Sequence, residues 1–196
     1  MARLGGISRK FFTQVNCVKF TGLSIGQIKR MCREELIKVA ASPSWLDFNS
    51  LTWLCIYANL RNYFSFQVIT KIFKEGNIDP TELLLNENHL FVVIYGENYN
   101  KILLYELEKN QTFNDLNPEQ IFKDAGINEL KLKLNETSLK NYFENGCVSL
   151  SFKIPYVYFQ VKDIHLDLIN LMKKEGYSQS EIDLKINTMY DYYKVA

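Results

Sequence analysis

No stretch of this 196-residue chain is apolar over the ~20 residues that a membrane-crossing helix needs. The opening residues, Met1 to Lys10, hold no long apolar core followed by a small-residue cleavage site, so no secretory leader is expected. Cysteine is sparse and scattered: Cys17, Cys32, Cys55 and Cys147 form no close pairs, and three of them sit in helix-like apolar surroundings. That spacing argues against a disulfide framework and fits buried free thiols in a reducing cytoplasm. His89 and His165 lie in no metal-ligand spacing, and Cys147 has no nearby Cys or His partner. No nucleophile elbow, Walker loop or dinucleotide fingerprint occurs. The expectation is a cytoplasmic protein that is not an enzyme and carries no cofactor.

Charge of neither sign dominates, with 23 Lys/Arg against 22 Asp/Glu and a formal net of +1. Hydrophobic residues make up 47% of the chain, enough to give real cores to one ordinary domain or two small ones. The near balance conceals an asymmetry. Residues 1–75 contain 11 Lys/Arg against 4 Asp/Glu, whereas residues 76–196 contain 12 against 18. A basic segment joined to an acidic one predicts that only the first faces a polyanion. A solvated charge excess without a partner is the alternative.

Thr13–Phe20 reads as a short helix, and Thr21-Gly22-Leu23 as a turn. Ser24-Ile25-Gly26-Gln27 matches a capping box, with a Ser at the N-cap and a Gln three residues on. In the helix it opens, Ile25, Ile28 and Cys32 recur at helical spacing and are the expected buried face. At about 100° per residue the opposite face carries Gly26, Gln27, Arg30, Arg33 and Glu34, with Lys29 on a flank. Arg and Gln side chains can pair base edges in a DNA major groove, and Lys or Arg neutralises phosphates. A merely solvated cationic helix is the ordinary alternative.

Leu36–Val39 and Trp45–Phe48 can form a small hairpin around the loop Ala41-Ser42-Pro43-Ser44. Asp47 or Asn49 can cap a third helix that includes Leu51, Leu54, Cys55 and Tyr57, and Ser65 a fourth that includes Phe66, Ile69 and Phe73. Gly76-Asn77 and Asp79-Pro80 mark a boundary. Beyond it the period changes. His89–Tyr95 and Lys101–Leu107 are strand-like runs on either side of a turn, which predicts a β-hairpin. Asn117-Pro118-Glu119 can start a short helix. Leu130–Leu134 alternates as a half-buried strand does, and Cys147–Val161 is another strand candidate with Pro155 as a break or edge position. Lys162–Ala196 reads as two helices broken at Gly176-Tyr177, with Ser178 or Ser180 as caps. Aromatic residues of residues 81–196, such as Phe91, Tyr105 and Tyr158, are either plain core or the lining of an effector pocket; no small-molecule effector is evident.

The segment from Phe12-Thr13 to Lys38 resembles the start of MerR-family regulators, above all in Thr21-Gly22-Leu23-Ser24, Ile28-Lys29 and Glu34-Glu35-Leu36-Ile37-Lys38. Ser50-Leu51-Thr52-Trp53-Leu54, Arg61 and Tyr63-Phe64-Ser65-Phe66 stand where that family has its later helix motifs. The likeness covers about 65 residues in order and spacing. It implies an α+β chain: a winged helix-turn-helix over residues 1–75, then a smaller antiparallel sheet with helices over 76–196. It also implies contacts to double-stranded DNA from Ser24, Gln27, Lys29, Arg30 and Arg33 on the recognition helix. Ser42, Ser44 and Trp45 would contact DNA from the wing, and Arg61 from a phosphate-contacting helix. Gly26 departs from a residue that is often Arg, Glu35 from the usual helix-ending Gly, and the short wing lacks its usual Arg.

Three functions are compatible with this reading. The first is a homodimeric, sequence-specific transcription regulator, by preference a repressor, on an inverted-repeat operator; small MerR-type repressors that accompany CRISPR-associated transposons are one candidate home. The second is an architectural DNA-bending protein resembling phage excisionases. The third is an enzyme or protein-interaction module whose N-terminal fold has lost DNA binding. The family's long dimer helix is blocked by Gly76 and Pro80. The apolar stripe Ile182, Ile186, Met189, Tyr190 and Tyr193 is therefore the first candidate for a dimer interface, with the strand pair 90–95 and 101–107 as the other. Packing of the stripe on its own chain is the competing reading.

Overall fold

A side-chain oxygen caps the start of each early helix. The computed structural model describes residues 9–40, 45–75, 86–94, 101–108, 111–124, 147–148 and 156–194. Strand β1 (Phe12–Thr13) leads directly into helix α1 (Gln14–Thr21). Thr13 Oγ1 accepts the Asn16 amide at 3.1 Å, and Asn16 Oδ1 accepts the Thr13 amide at 3.0 Å. Ser24 and Gln27 make the same reciprocal pair, at 3.2 and 2.8 Å, at the start of α2 (Ile25–Arg33), as the Ser-x-x-Gln spacing predicts. Gly22 ends α1 in the left-handed region, φ +69°, and donates to the Val18 carbonyl at 2.9 Å. A residue without Cβ enters that region at little cost, so three residues suffice to turn the chain from α1 into α2.

The end of α2 uses the same geometry with the wrong residue for it. The Leu36 amide bonds the Met31 carbonyl at 3.0 Å and the Glu35 amide bonds the Cys32 carbonyl at 3.2 Å, the paired bonds of a Schellman ending. The left-handed position is Glu35, φ +59°, the only non-glycine residue with positive φ among the described residues. The equivalent place after the helix Val161–Lys174 is filled by Gly176, φ +88°. Glu35→Gly is therefore expected to stabilise the protein by ~0.5–1 kcal/mol, relief of left-handed strain outweighing the added freedom of the unfolded chain. Denaturant titration of both proteins checks this; a destabilised variant would show that the strain is absent.

The expected hairpin between Leu36–Val39 and Trp45–Phe48 does not form. Strand β2 (Trp45–Leu46) pairs instead with β1, antiparallel, with Phe12 opposite Leu46 and Thr13 opposite Trp45. The Ala40 amide, bonded to the Trp45 carbonyl at 3.0 Å, and Ser50 Oγ, donating to the Lys38 carbonyl at 2.8 Å, link the two sides of the loop. Leu36 and Ile37 are buried at the loop's start, which withholds them from a solvent-exposed ribbon. Residues 41–44, with Ser42 and Ser44, lie outside the described residues.

Asp47 caps α3 (Phe48–Leu60) through Oδ1, 2.7 Å from the Ser50 amide, and Phe48 belongs to the helix. Helix α3 is buried on nearly every side, which suits a helix apolar all round. Ser65 starts α4 (Phe66–Glu75), accepting the Val68 amide at 3.3 Å.

Two compact units emerge, one of residues 1–87 with 162–196 and one of 88–161. Helices α6 (Val161–Lys174) and α7 (Gln179–Lys194), which the sequence groups with the second half, complete the first unit. Ile182 and Met189 are fully buried there and α7 packs on α3. Lys185 Nζ donates to the Phe11 carbonyl at 2.9 Å and lies 4.3 Å from the Phe12 ring centre. Tyr177 packs against Phe12 and Phe20, with ring centres 6.5 and 6.1 Å away. Ile182 and Met189 of the α7 stripe are thus core of their own chain, the competing reading, and Ile186 is half-buried. Side chains of Tyr190 and Tyr193 lie outside the described residues.

The second unit is an antiparallel sheet of order β4-β3-β6-β5. Strands β3 (His89–Ile94) and β4 (Lys101–Glu106) form the expected hairpin. The segment expected as one strand, Cys147–Val161, divides into β5 (Cys147–Val148) and β6 (Tyr156–Gln160), which pair antiparallel. Leu90 to Ile94 are buried between β4 and β6, so β3 is an interior strand and not a free edge. Phe113 stacks on Tyr158 at 4.0 Å, and helix α5 (Pro118–Asp124) buries Ile121. Residues 130–134 lie outside the described residues.

Candidate nucleic-acid interface

Helix α2 sits rotated by roughly 60° from the expected orientation. Ile28 and Met31 are fully buried, Cys32 is half-buried, and Ile25 is 42% exposed. Met31 takes the place expected for Ile25. Leu23 and Ile28 occupy the N′ and N4 positions of a hydrophobic staple and are both buried, which anchors the helix start without Ile25. The exposed residues are Ile25, Gly26, Lys29 and Arg33, within a sector of roughly 100°.

The expected contact residues consequently fall into two groups. Lys29 is exposed, and the Arg33 side chain is 74% exposed with only a 4.0 Å approach to Glu34, a pairing worth little in water. Gln27 is half-buried and its Oε1 is engaged by the Ser24 amide, while Ser24 Oγ accepts the Gln27 amide. Arg30 does not point out with Arg33. Its guanidinium carbon lies 3.9 Å from the Phe66 ring centre, and its buried Nε has no hydrogen-bond partner among the described residues. Phe66 in turn packs edge-on to Tyr57 at 5.8 Å, so Arg30 ties α2 to α4 and through it to α3. Arg61 is exposed, yet its Nη1 donates to the Phe64 carbonyl at 2.9 Å and holds the turn between α3 and α4. Trp45 is half-buried in β2.

No protein-family model matches the chain, and no curated protein matches it.

Charge follows the fold less sharply than the linear halves suggest. Residues 1–87 with 162–196 carry 16 Lys/Arg and 13 Asp/Glu, and residues 88–161 carry 7 and 9. Asp79, Glu82 and Glu87 account for most of the dilution of the basic excess, and the local cations of α2 are left as the distinctive feature. His165 is buried, Nδ1 3.3 Å from Glu87 Oε1 and edge-on to Phe48 at 5.2 Å. Burial pulls its basicity down, against the opposing pull of Glu87. Burial likewise pushes the Cys17 and Cys55 thiols up, Cys55 to about 12, which keeps both as inert thiols at neutral pH. Among the described residues no group of three or more His, Cys, Asp or Glu could hold a metal ion, and no helix is long and apolar enough to cross a membrane.

The two arginines of α2 should separate in experiment. Arg30→Ala removes the stack on Phe66 and is expected to destabilise the fold by ~0.5–2 kcal/mol. Arg33→Ala, on the exposed strip, should change stability by less than ~0.5 kcal/mol. Urea midpoints of the two variants check this, and equal midpoints would remove the structural role given to Arg30.

Proposed function

We propose that this chain is a sequence-specific regulator that binds double-stranded DNA through α2, resembles MerR-type proteins in its N-terminal segment, and acts as a repressor. The observation that carries the proposal is the outward strip of α2, with Lys29 and Arg33 on a doubly capped helix held by a three-residue turn against α1. Helix, tight turn and capped second helix is the order in which DNA-reading helices are presented. A cationic strip on such a helix suits phosphate neutralisation and guanine readout. The resemblance in Thr21-Gly22-Leu23-Ser24 and Glu34–Lys38 supports the same reading.

One element of this size offers few base contacts, so the functional form proposed is a homodimer on an inverted repeat, with half-sites about one helical turn, ~34 Å, apart. Ile182 and Met189 are occupied within their own chain and do not contribute to that interface.

The test is selection of bound fragments from genomic DNA by the purified chain, followed by gel shifts across a salt series. Enrichment of an inverted repeat, with affinity falling steeply as salt rises, is the expected result. Lys29→Ala or Arg33→Ala should each reduce the salt slope by about one if the side chain meets phosphate, or relax one operator position at ~1–3 kcal/mol if it meets a base. Retention of no duplex at low salt would overturn the proposal.

A further inference from the structure

Resting on that reading, we infer that Ile25 is a specificity residue that reads the methyl group of a thymine, and that the reading edge of α2 is Ile25, Gly26, Lys29 and Arg33. Two of the polar residues expected to read bases are engaged elsewhere: Gln27 in the capping box and Arg30 on Phe66. What remains outward is one large apolar side chain at the first position of the helix, 42% exposed, with two cations one and two turns further along the same ridge.

Ile25 is a β-branched apolar residue exposed on a cationic strip, and Leu23 and Ile28 staple the helix start without it. Beside it, a Cβ built on Gly26 would meet only Ser24 Oγ, at 3.8 Å, so the helix surface there is open and shallow. The backbone can then approach closely, bringing Ile25 within van der Waals reach of a groove floor. In the major groove the thymine C5-methyl is the apolar group available to such a side chain, whereas Lys and Arg match guanine O6 and N7. Charge complementarity between Lys29, Arg33 and the phosphates selects duplex nucleic acid as the occupant of this face.

The experiment uses the full chain and a randomised duplex pool to obtain a bound sequence, then replaces each thymidine singly by deoxyuridine, which removes only the methyl group. Wild type should bind roughly four-fold more weakly at one thymine per half-site, the effect of losing about one buried methyl contact. Ile25→Ala should melt as wild type does, bind the thymidine duplex more weakly, and show no further loss with deoxyuridine at that position. A specific duplex with a flat deoxyuridine scan overturns the role of Ile25 and leaves DNA binding standing, as does a methyl effect that persists in Ile25→Ala. Retention of no duplex removes the DNA reading and this inference together.

Discussion

A chain stopped after Gly176 is expected to lose the cooperative unfolding transition of its N-terminal unit. The truncation removes Tyr177, which covers Phe12 and Phe20, and all of α7. Ile182 and Met189 are fully buried, and by area alone they contribute on the order of 3–6 kcal/mol. Phe12 is itself fully buried and would be uncovered along with the β1–β2 pair that holds it. These losses are comparable with the ~5–15 kcal/mol by which ordinary domains are stable at all. Circular dichroism melts and amide chemical-shift dispersion measure the outcome. A sigmoidal melt within ~4 °C of the full chain, the shift that ~1 kcal/mol produces at this size, would show that α7 is dispensable. The DNA-binding element proposed here would then stand alone, as the resemblance to an N-terminal module implies.

The second large effect belongs to Lys185. The residue is 2% exposed, and its amine is bonded to the Phe11 carbonyl and flanked by the Phe12 and Tyr177 rings at 4.3 and 5.6 Å. Burial lowers its pKa from 10.5 to about 8, with Glu181 and Cys17 opposing the shift. Below pH 8 both folded and unfolded chains carry the proton, so the full cost of a buried charge is present at neutral pH. Between pH 8 and 10.5 the unfolded chain binds more protons than the folded one, and stability from this group rises with pH, by up to ~3 kcal/mol over the window. The neutral amine still donates to Phe11, so the hydrogen bond survives deprotonation. Cys17 and Cys55 act in the opposite direction above about pH 9, because the folded chain keeps their protons longer. Comparison with Lys185→Met isolates the lysine. The free-energy gap between the two proteins should be constant below pH 8 and move toward wild type as pH rises to 10, by urea titration at each pH. A gap independent of pH would show that the amine is not desolvated.

Local chemistry was readable in the sequence wherever a polar residue governs a helix end. Ser24 with Gln27, Asp47, and Ser65 all cap where their spacing says they should, and Gly176 breaks the tail where a left-handed residue is needed. The β3–β4 hairpin was equally plain, since β-branched and aromatic runs flank a polar turn. What could not be read locally was which surface each element meets. Ile25, Ile28 and Cys32 share helical spacing as well as Ile28, Met31 and Cys32 do, and packing of α2 against its neighbours decides between them. The same reason hides the Arg30–Phe66 stack and the pairing of β2 with β1, whose partners lie more than thirty residues apart. Within the candidate site, Lys29 and Arg33 were legible as exposed cations, whereas the exposure of Ile25 was not.

Residues 1–87 share their core with residues 162–196, and this has a consequence for biosynthesis. Residue 87 is translated 107 residues before the end of α7 at Lys194. At ~5–20 residues per second, the aromatic surface of β1 and α1 waits roughly 5–20 s for α7 to arrive. During that time Phe12, Phe20 and the apolar helix α3 are a binding surface for chaperones and for other nascent chains. The sheet of residues 88–161 emerges in the interval, so the last unit to begin folding can be the first to finish. Yield in the cell should therefore respond to translation speed and chaperone supply more than the melting temperature of the purified protein would suggest.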